Sequence, residues 1–417
     1  MRSTHTPSEI FDTTLDFLER FSAISSPSGD LAGLNAAADC LAAPLRRHRF
    51  EVEVARETGA DGIDLPVLYA RAPGEAADEG CLLLIGHIDT VLPAATPERR
   101  DGRLYATGAI DMKGGLAALI GALDLLQLRG LEPPRDLLLA VVPDEEVAGH
   151  LSQQVVARLG AKARGLWVLE PGTPRGTADG RAVETLVTGR RGMFDWHLKV
   201  RGRSAHAGNA YWEGRSAVSA AAAWCAEARR LVLEGRATRG EATSTINAGR
   251  MVGGEAGFLE DLRAGAELVG TTRQVNVVPD AAAVDGEARF LGHAEGAALR
   301  QTLHDLTTRL AEEHDLEMDF LPGPEVPPVD PTGPSREQSR LAVELARKAG
   351  WTIELEEDRG GISFSNFLPD PSAIPILDGL GPVGDGMHTR DEYVELPSLD
   401  RRIALLADLL ELEAKQG

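Results

Sequence analysis

Acids and histidines stand directly after short apolar runs at several places in the chain. The first is the segment Gly-His-Ile-Asp-Thr, in which His87 and Asp89 close an apolar run. Because residues two apart at a strand end point the same way, Asp89 can hydrogen-bond to the ring of His87 and leave its other nitrogen for a metal ion. A His–Asp hydrogen bond without a metal ion explains this segment equally well.

Four further segments carry acids or a histidine, either after an apolar run or on a loop between elements. Asp111 lies in a loop that leads into an apolar helical period, where capping the helix is an alternative role. The acids at 144–146 follow a second apolar run, and their mutual repulsion is relieved by a cation or by a helix N-terminus. Glu170 follows a third run, and His388 lies in a Gly-rich segment near the C-terminus.

Taken together, these segments supply a mixed set of nitrogen and oxygen ligands. Imidazole and carboxylate suit zinc or a similar first-row metal ion, and the absence of cysteine from the segments disfavours a structural zinc site. The neighbouring acids Glu145 and Glu146 allow one to bind metal while the other moves protons. A metal-bound water beside a carboxylate base can hydrolyse an amide, and this is the chemistry that the pattern indicates.

The elements around these segments alternate between helix and strand. Helical periods cover residues 8–23, 31–47 and 114–128, and continuous apolar runs predict buried strands over 81–85, 137–142 and 165–169. Such alternation is typical of an α/β fold with a mixed, largely parallel sheet flanked by helices. Ligands of these sheets bind just beyond the strand ends, where the acids and histidines lie.

The pattern changes after residue 189. The following strands and helices are predicted in the order β-α-β-β-α-β, the split unit of a ferredoxin-like α+β domain. The predicted segments are strands 193–200, 243–251, 287–291 and 316–320, helices 216–233 and 295–313, and a short strand-like run at 274–278. A stretch with six prolines, 322–334, then leads back to α/β character, with helices over 337–348 and 397–412 and a strand over 373–377. We therefore expect a catalytic domain in two parts, residues 1–188 and 325–417, interrupted by a lid of residues 189–324.

These segments, in their order and separation, resemble the zinc metallopeptidase family of bacterial glutamate carboxypeptidase, acetylornithine deacetylase and succinyl-diaminopimelate desuccinylase. The resemblance covers nearly the whole chain and implies a zinc-peptidase-like fold whose lid also mediates dimerisation. It implies two Zn²⁺ ions per subunit, with Co²⁺ or Mn²⁺ as possible substitutes. Asp111 would bridge the two ions, His87 and Glu170 would complete one site, and Glu146 and His388 would complete the other.

The resemblance also implies catalytic roles. Glu145 would be the general base that takes a proton from the metal-bridging water and later protonates the leaving amine. Asp89 would support His87. His206 lies in a segment resembling the one whose histidine reaches the active site of a neighbouring subunit, where it would stabilise the tetrahedral oxyanion. A surface histidine in a turn is the alternative.

Asn276 and Arg289 resemble the lid positions that hold the substrate's carboxylate. A guanidinium suits a carboxylate because it binds both oxygens at once, although a solvated charge on a strand is an alternative role for Arg289.

Gly360 and Gly361 resemble the Gly-rich loop that lines the substrate pocket. Many relatives carry Asp just after these glycines, whereas this chain has Ser363 and Phe364. Phe364 could contact an apolar acyl group or belong to the core, which is the commoner location of Phe.

The expected reaction is hydrolysis of an amide between an acyl group and an amino acid with a free carboxylate, as in glutamate carboxypeptidase. Glu rather than Asp at position 170 favours a carboxypeptidase or deacylase over a dipeptidase or aminopeptidase, as the resemblance implies. The main alternative is an N-acyl-amino-acid deacylase of the acetylornithine type. A dipeptidase and a non-catalytic binder with the same fold remain further alternatives.

Composition excludes several classes of partner. The 417 residues include 43 Lys and Arg against 64 Asp and Glu, and the resulting net charge of −21 offers no basic surface for nucleic acid. No apolar run is long enough to span a bilayer, and the N-terminal residues lack the apolar region of a secretory signal. The three widely spaced cysteines are typical of reduced thiols. We expect a cytoplasmic homodimer, joined through the lid, that acts on small N-acyl amino acids or peptides.

Overall fold

The protein is described here by a computed structural model, which covers residues 6–59, 62–73, 80–257 and 275–416. The chain divides into two compact units. The first unit comprises residues 1–189, 330–359 and 363–417, and the second comprises residues 190–329 and 360–362. The predicted lid, 189–324, lies within the range of the second unit except for its first residue.

The main sheet of the first unit has six strands in the order β1-β2-β6-β3-β7-β15. They are β1 (Glu51–Thr58), β2 (Asp64–Arg71), β3 (Leu82–His87), β6 (Leu137–Val142), β7 (Gly165–Val168) and β15 (Ile376–Leu377). The pairs β3–β6, β3–β7 and β7–β15 are parallel, whereas β1–β2 and β2–β6 are antiparallel. The expected mixed, largely parallel sheet is therefore confirmed.

Every residue of β3 and β6 is buried, because helices cover both faces of the sheet. The helices of the first unit are α1 (Pro7–Ser22), α2 (Leu31–Arg47), α3 (Lys113–Leu128), α4 (His150–Gly160), α7 (Pro334–Lys348) and α8 (Leu396–Gln416). Helix α3 is buried along most of its length and packs against α1 and α8. The predicted bounds of α2 and β6 agree with the structure to the residue.

Two small sheets of the first unit are not anticipated by the sequence. One has the order β14-β9-β8 and contains β8 (Pro174–Ala178), β9 (Arg181–Val187) and β14 (Thr352–Glu356). The other has the order β16-β17-β5-β4 and contains β4 (Glu98–Arg100), β5 (Arg103–Tyr105), β16 (Gly384–Asp385) and β17 (Tyr393–Glu395). The strands of the second of these sheets have only two or three residues, which is too short to show a period, so pattern reasoning misses them.

The second unit is an antiparallel sheet with the order β11-β12-β10-β13. Its strands are β10 (Gly192–Arg201), β11 (Thr245–Gly254), β12 (Ala281–Phe290) and β13 (Glu317–Pro322), and its helices are α5 (Ala217–Arg239) and α6 (His293–His314). The order β-α-β-β-α-β agrees with the ferredoxin-like prediction. The inward residues Phe194, Trp196, Leu198 and Val200 alternate along β10 and form a core with both helices.

Two predicted strands of this unit need correction. Strand β12 begins at Ala281, six residues before the predicted start at 287. The prediction starts too late because the alanines that open the strand do not form a recognisable strand pattern. In the short run predicted at 274–278, Gln274 lies outside the described residues, and of the rest only Val277 forms a bridge, with His206. Among the helices of the described residues, none is long and apolar enough to cross a membrane.

Candidate active site

His87 ends strand β3, and its imidazole is completely buried. Its Nδ1 lies 3.0 Å from the backbone oxygen of Asp89 and 3.3 Å from the Oδ1 of the same residue. A proton on Nδ1 therefore leaves the Nε2 lone pair for a metal ion. Nε2 lies 3.1 Å from Asp111 Oδ1 and 3.6 Å from Glu170 Oε1. Burial alone would lower the pKa of His87, but its hydrogen bonds with Asp111 and Asp89 raise the pKa well above the usual value.

Asp89 is fully buried, and its carboxylate accepts hydrogen bonds from a side chain and from the backbone. Its Oδ2 accepts a hydrogen bond of 2.7 Å from Ser28 Oγ. Its two carboxylate oxygens also accept the backbone N–H groups of Glu145 and Glu146, each at 3.1 Å. One side chain thus orients the ring of His87 and holds the backbone that carries both glutamates.

The two carboxylate oxygens of Asp111 face different neighbours. Oδ1 lies 3.1 Å from His87 Nε2, whereas Oδ2 lies 3.4 Å from His388 Nε2. The same nitrogen of His388 lies 3.0 Å from Glu146 Oε2. Asp111 therefore stands between two groups of candidate ligands, one on the side of each oxygen.

The donor atoms converge closely enough to hold metal ions. One atom from each of His87, Glu145 and Glu170 lies within 4.8 Å of the others, and the same holds for His87, Asp111 and Glu146. These are imidazole nitrogens and carboxylate oxygens, the donor set that zinc accepts. The residues present therefore fit a centre of divalent ions.

Electrostatics support the same interpretation. Burial and the neighbouring Asp111 raise the pKa of Glu146 to about 8. Although burial favours the neutral form of Asp111, hydrogen bonds from His388 and His87 hold its pKa well below the usual value. The hydrogen bond with Asp111 raises the pKa of His388 to about 9. The carboxylates thus need compensating positive charge, which protons or divalent cations can supply.

His388 lies in the loop that joins β16 to β17. Its φ of 64° places the backbone in the left-handed region, which is uncommon for a residue other than Gly. The loop is closed by Thr389, whose backbone N–H and Oγ donate to the Gly386 carbonyl at 3.0 and 2.7 Å. About half of the His388 side chain, 53%, is exposed, whereas His87 is buried.

Sequence reasoning missed one residue of this site and left another undecided. Glu392 is buried and accepts hydrogen bonds from the backbone of the loop that carries Asp111. It lies in a polar stretch that looks solvated, and only its separation of four residues from His388 relates it to the site. Phe364 is fully buried, with its ring centroid 6.3 Å from that of His87, so it belongs to the core.

His206 belongs to the second unit and is exposed. Its Nδ1 accepts the backbone N–H groups of Gly208 and Asn209, each at 3.1 Å. A nitrogen that accepts cannot also carry the proton, so in the neutral ring Nε2 is the donor. The exposed imidazole therefore presents an N–H group of the kind that can stabilise an oxyanion.

The other predicted lid residues also lie in the second unit. The Arg289 guanidinium pairs with Glu287 through Nε–Oε1 and Nη2–Oε2 distances of 3.0 and 3.1 Å, and Nη1 donates to the Gly360 carbonyl. The Gly361 carbonyl accepts from Arg190 Nη1 at 2.9 Å. Asn276 is exposed, and its backbone oxygen accepts from Ala207, next to His206, at 2.7 Å.

A protein-family model described as Peptidase family M20/M25/M40 matches residues 83–412. The chain belongs to this family. Succinyl-diaminopimelate desuccinylase of Paracidovorax citrulli is 28% identical over 82% of this chain and 84% of its own length. Carboxypeptidase G2 of a Pseudomonas species is 26% identical over 94% of this chain and 87% of its own length.

Two solved structures show the same fold. Aminopeptidase PepT of Bacillus cereus superposes with a TM-score of 0.72 at 21% identity, covering 97% of this chain and 99% of that one. The M20-family metallo-carboxypeptidase Sso-CP2 of Sulfolobus solfataricus gives a TM-score of 0.67 at 17% identity, covering 96% and 99%. M20 proteins usually bind two metal ions and act on small acyl amino acids or peptides, and this chain is accordingly an M20 metallohydrolase.

Proposed function

We propose that this M20 protein is a two-zinc amidohydrolase that releases an amino acid with a free carboxylate from an acyl group, as a glutamate carboxypeptidase does. The observation that carries the proposal is the placement of Asp111, whose two oxygens face His87 on one side and His388 on the other. A carboxylate in that position can bridge two ions. The donor set and the similarity to desuccinylases and carboxypeptidase G2 support the same reaction class.

In this proposal, His87 and Glu170 would hold one ion, Glu146 and His388 would hold the other, and Asp111 would contribute a ligand to each. Zinc is the proposed metal, with Co²⁺ or Mn²⁺ as substitutes, because imidazole and carboxylate ligands suit all three. When bound, the ions would lower the pKa of water and polarise the scissile carbonyl.

Glu145 is the proposed general base. Its carboxylate takes a proton from the attacking water and then donates that proton to the nitrogen of the leaving amine, so protons balance over the cycle. A Glu145 oxygen lies within 4.8 Å of the donor atoms of His87 and Glu170. This distance is short enough for the carboxylate to contact a water molecule bound between these residues. The hydrogen bond from its backbone N–H to Asp89 fixes the segment from which it works.

His206 is the proposed oxyanion donor, acting in the active site of a neighbouring subunit of a homodimer. Its accepting Nδ1 supports this role because the neutral ring then carries its N–H at Nε2, and the residue is exposed. Strand β11 supports the dimer, since it is an edge strand whose residues are mostly exposed. The cytoplasmic location stays a prediction from the sequence.

Arg289, whose guanidinium contacts the Gly360 carbonyl, and Asn276 are the proposed ligands of the substrate's free carboxylate, and Gly360 and Gly361 are proposed to line its pocket. The pairing of Arg289 with Glu287 shows that its guanidinium can hold a carboxylate through two nitrogens. For a substrate to use the same fork, Glu287 must turn away.

A second candidate is an N-acyl-amino-acid deacylase, favoured by the similarity to succinyl-diaminopimelate desuccinylase over most of both chains. Both candidates need a free carboxylate on the amino-acid side and differ in the acyl group. The test is a panel of N-acetyl, N-succinyl and N-aryl-acyl amino acids with matched free-amino dipeptides, assayed with added zinc. Cleavage of the acylated compounds is expected.

Two outcomes of this panel would contradict the proposal. Cleavage of free-amino dipeptides alone would make the protein a dipeptidase. Binding of the compounds without turnover after addition of zinc, cobalt and manganese would make it a non-catalytic binder.

A further inference from the structure

Glu392 is a buried acid, only 4% exposed, that contacts the loop carrying Asp111. Its Oε2 accepts the backbone N–H of Gly108 at 2.8 Å, and its Oε1 accepts those of Ile110 and Asp111 at 3.1 and 3.2 Å. Its own backbone carbonyl accepts a fourth bond, from Ala106 N at 3.1 Å. A single residue therefore holds the loop 106–111 through four hydrogen bonds.

The same residue belongs to the segment that carries His388. Glu392 lies four residues after His388 and immediately before strand β17. In this way it joins the loop that bears His388 to the loop that bears Asp111. The side chains of these two residues face each other, with His388 Nε2 3.4 Å from Asp111 Oδ2.

A buried lysine follows the Asp111 loop in the chain. Lys113 is 1% exposed, and its ammonium donates to the Ile24 carbonyl at 2.8 Å. Its backbone N–H donates to the Gly108 carbonyl at 2.9 Å. The loop therefore has a buried acid and a buried amine next to it, and the negative charge of Glu392 favours the charged form of Lys113.

The side chain of residue 392 must accept three backbone N–H groups, and a carboxylate can do so because both of its oxygens are acceptors. Glutamine at 392 would have one accepting oxygen and would turn an N–H₂ group towards backbone N–H donors. Replacing the acid by the amide therefore leaves at least one of the three buried backbone N–H groups without its acceptor, which costs more than the loss of an exposed contact.

We propose that Glu392 is a positioning residue that sets the conformation of the loop 106–111 and thereby places Asp111 opposite His388. It does not touch substrate. This inference rests on the proposed two-ion function, because Asp111 and His388 are two of its ligands. Residues that orient metal ligands typically affect metal affinity by roughly 10–100-fold when they are changed.

The test compares Glu392→Gln with the native protein and with Glu395→Gln. Glu395 is a matched control, since it is a half-buried acid three residues further along, in strand β17, and its backbone N–H donates to the Val383 carbonyl rather than to the loop. The first measurement is hydrogen–deuterium exchange of the metal-free proteins. Peptides that cover residues 106–111 are expected to exchange faster in Glu392→Gln alone, while peptides that cover β6 are unchanged.

The second measurement is a zinc titration against a competing chelator. The affinity for zinc is expected to fall by about 10–100-fold in Glu392→Gln and to be native in Glu395→Gln. At saturating zinc, kcat is expected to recover substantially with KM unchanged, which a general loss of folding would not produce. If Glu392→Gln does not fold, Glu392→Asp keeps the charge, withdraws the carboxylate by one methylene, and is expected to weaken zinc binding in the same direction.

The outcomes separate this inference from the proposed function. Native exchange of residues 106–111 in the folded variant, or native zinc affinity despite faster exchange, overturns the positioning role. If the native protein itself binds no zinc, the proposed two-ion function is wrong, and Glu392 then cannot position Asp111 as a metal ligand. If the native protein binds two ions and the variant binds them equally well, only the inference about Glu392 fails.

Discussion

The candidate ligands of the first unit and the predicted substrate residues of the second unit are arranged differently. The ligands converge, with His87 buried at a strand end and Asp111 between two histidines. The residues of the second unit are exposed or already paired, as with His206 on its own turn and Arg289 with Glu287. An ion demands several donors within a few ångströms, whereas a substrate can complete its site on arrival. Convergence of side chains is therefore a strong signal of a metal site and a weak signal of a substrate site.

The largest expected effect comes from Asp111→Asn, because the side chain would lose its negative charge, which attracts both ions, and one of its two oxygens. We expect both zinc affinities to fall together, by more than the roughly 10–100-fold typical of residues that only orient ligands, and activity to fall with them. Metal analysis after dialysis and a chelator titration measure this. A variant that retains both ions would show that Asp111 does not bridge.

Glu145→Gln is expected to separate proton transfer from metal binding. The variant should keep its zinc and lose roughly 10²–10⁴-fold in kcat, because only the transfer of the proton is removed. Steady-state kinetics with parallel metal analysis decide the matter. Turnover close to that of the native protein would contradict the role of general base.

His206→Ala tests the most exposed residue of the comparison. Loss of one oxyanion donor typically lowers kcat by roughly 10²–10³-fold, and zinc content should not change. His197→Ala is a suitable control, since His197 is also an exposed histidine of the second unit and pairs with Asp285.

Mixing His206→Ala with Glu145→Gln sharpens this test. If His206 acts across a dimer, mixed dimers contain one intact site and should recover part of the activity. Verified mixed dimers without recovery would place His206 outside the neighbouring site.

Arg289→Ala is expected to have the smallest effect and to act on substrate binding. A hydrogen bond to a charged group contributes about 1.5–3 kcal/mol, so KM should rise by roughly 10–100-fold with little change in kcat. The same substrate with its carboxylate converted to an amide should show no such change. Arg250→Ala, which removes an exposed arginine paired with Asp285, is the control. An equal rise in KM for both substrates would argue against carboxylate recognition.

Much of the fold could be predicted from the pattern of residues in the sequence. The run 137–142 is apolar throughout because it forms a buried strand, and the Ala- and Leu-rich helix 31–47 ends where basic residues begin. The hairpin of β1 and β2 was missed although the alternation of Glu and Val along β1 is a strand signal, and in β2 the apolar run is interrupted by Pro66, which weakens a strand prediction. The ferredoxin-like unit was predictable because its inward residues alternate along β10.

Some residues of the candidate site could be predicted from the sequence, and others could not. Acids that follow buried strands, such as Glu170, stand out because strand ends are where ligands of such sheets bind. Glu392 does not stand out, since its partners are backbone N–H groups, which no side-chain pattern reveals. Phe364 could not be assigned to pocket or core until its burial was known.

The order and type of the segments are local properties, and they were sufficient to predict the α/β architecture, the inserted α+β unit and the family. Distances between remote segments are not local, because they depend on how strands pair and loops pack. That Asp111 turns one oxygen to His87 and the other to His388 follows only from the folded chain. The same holds for the hydrogen bonds through which Asp89 holds the segment of Glu145 and Glu392 holds the Asp111 loop, since both join stretches far apart in the sequence.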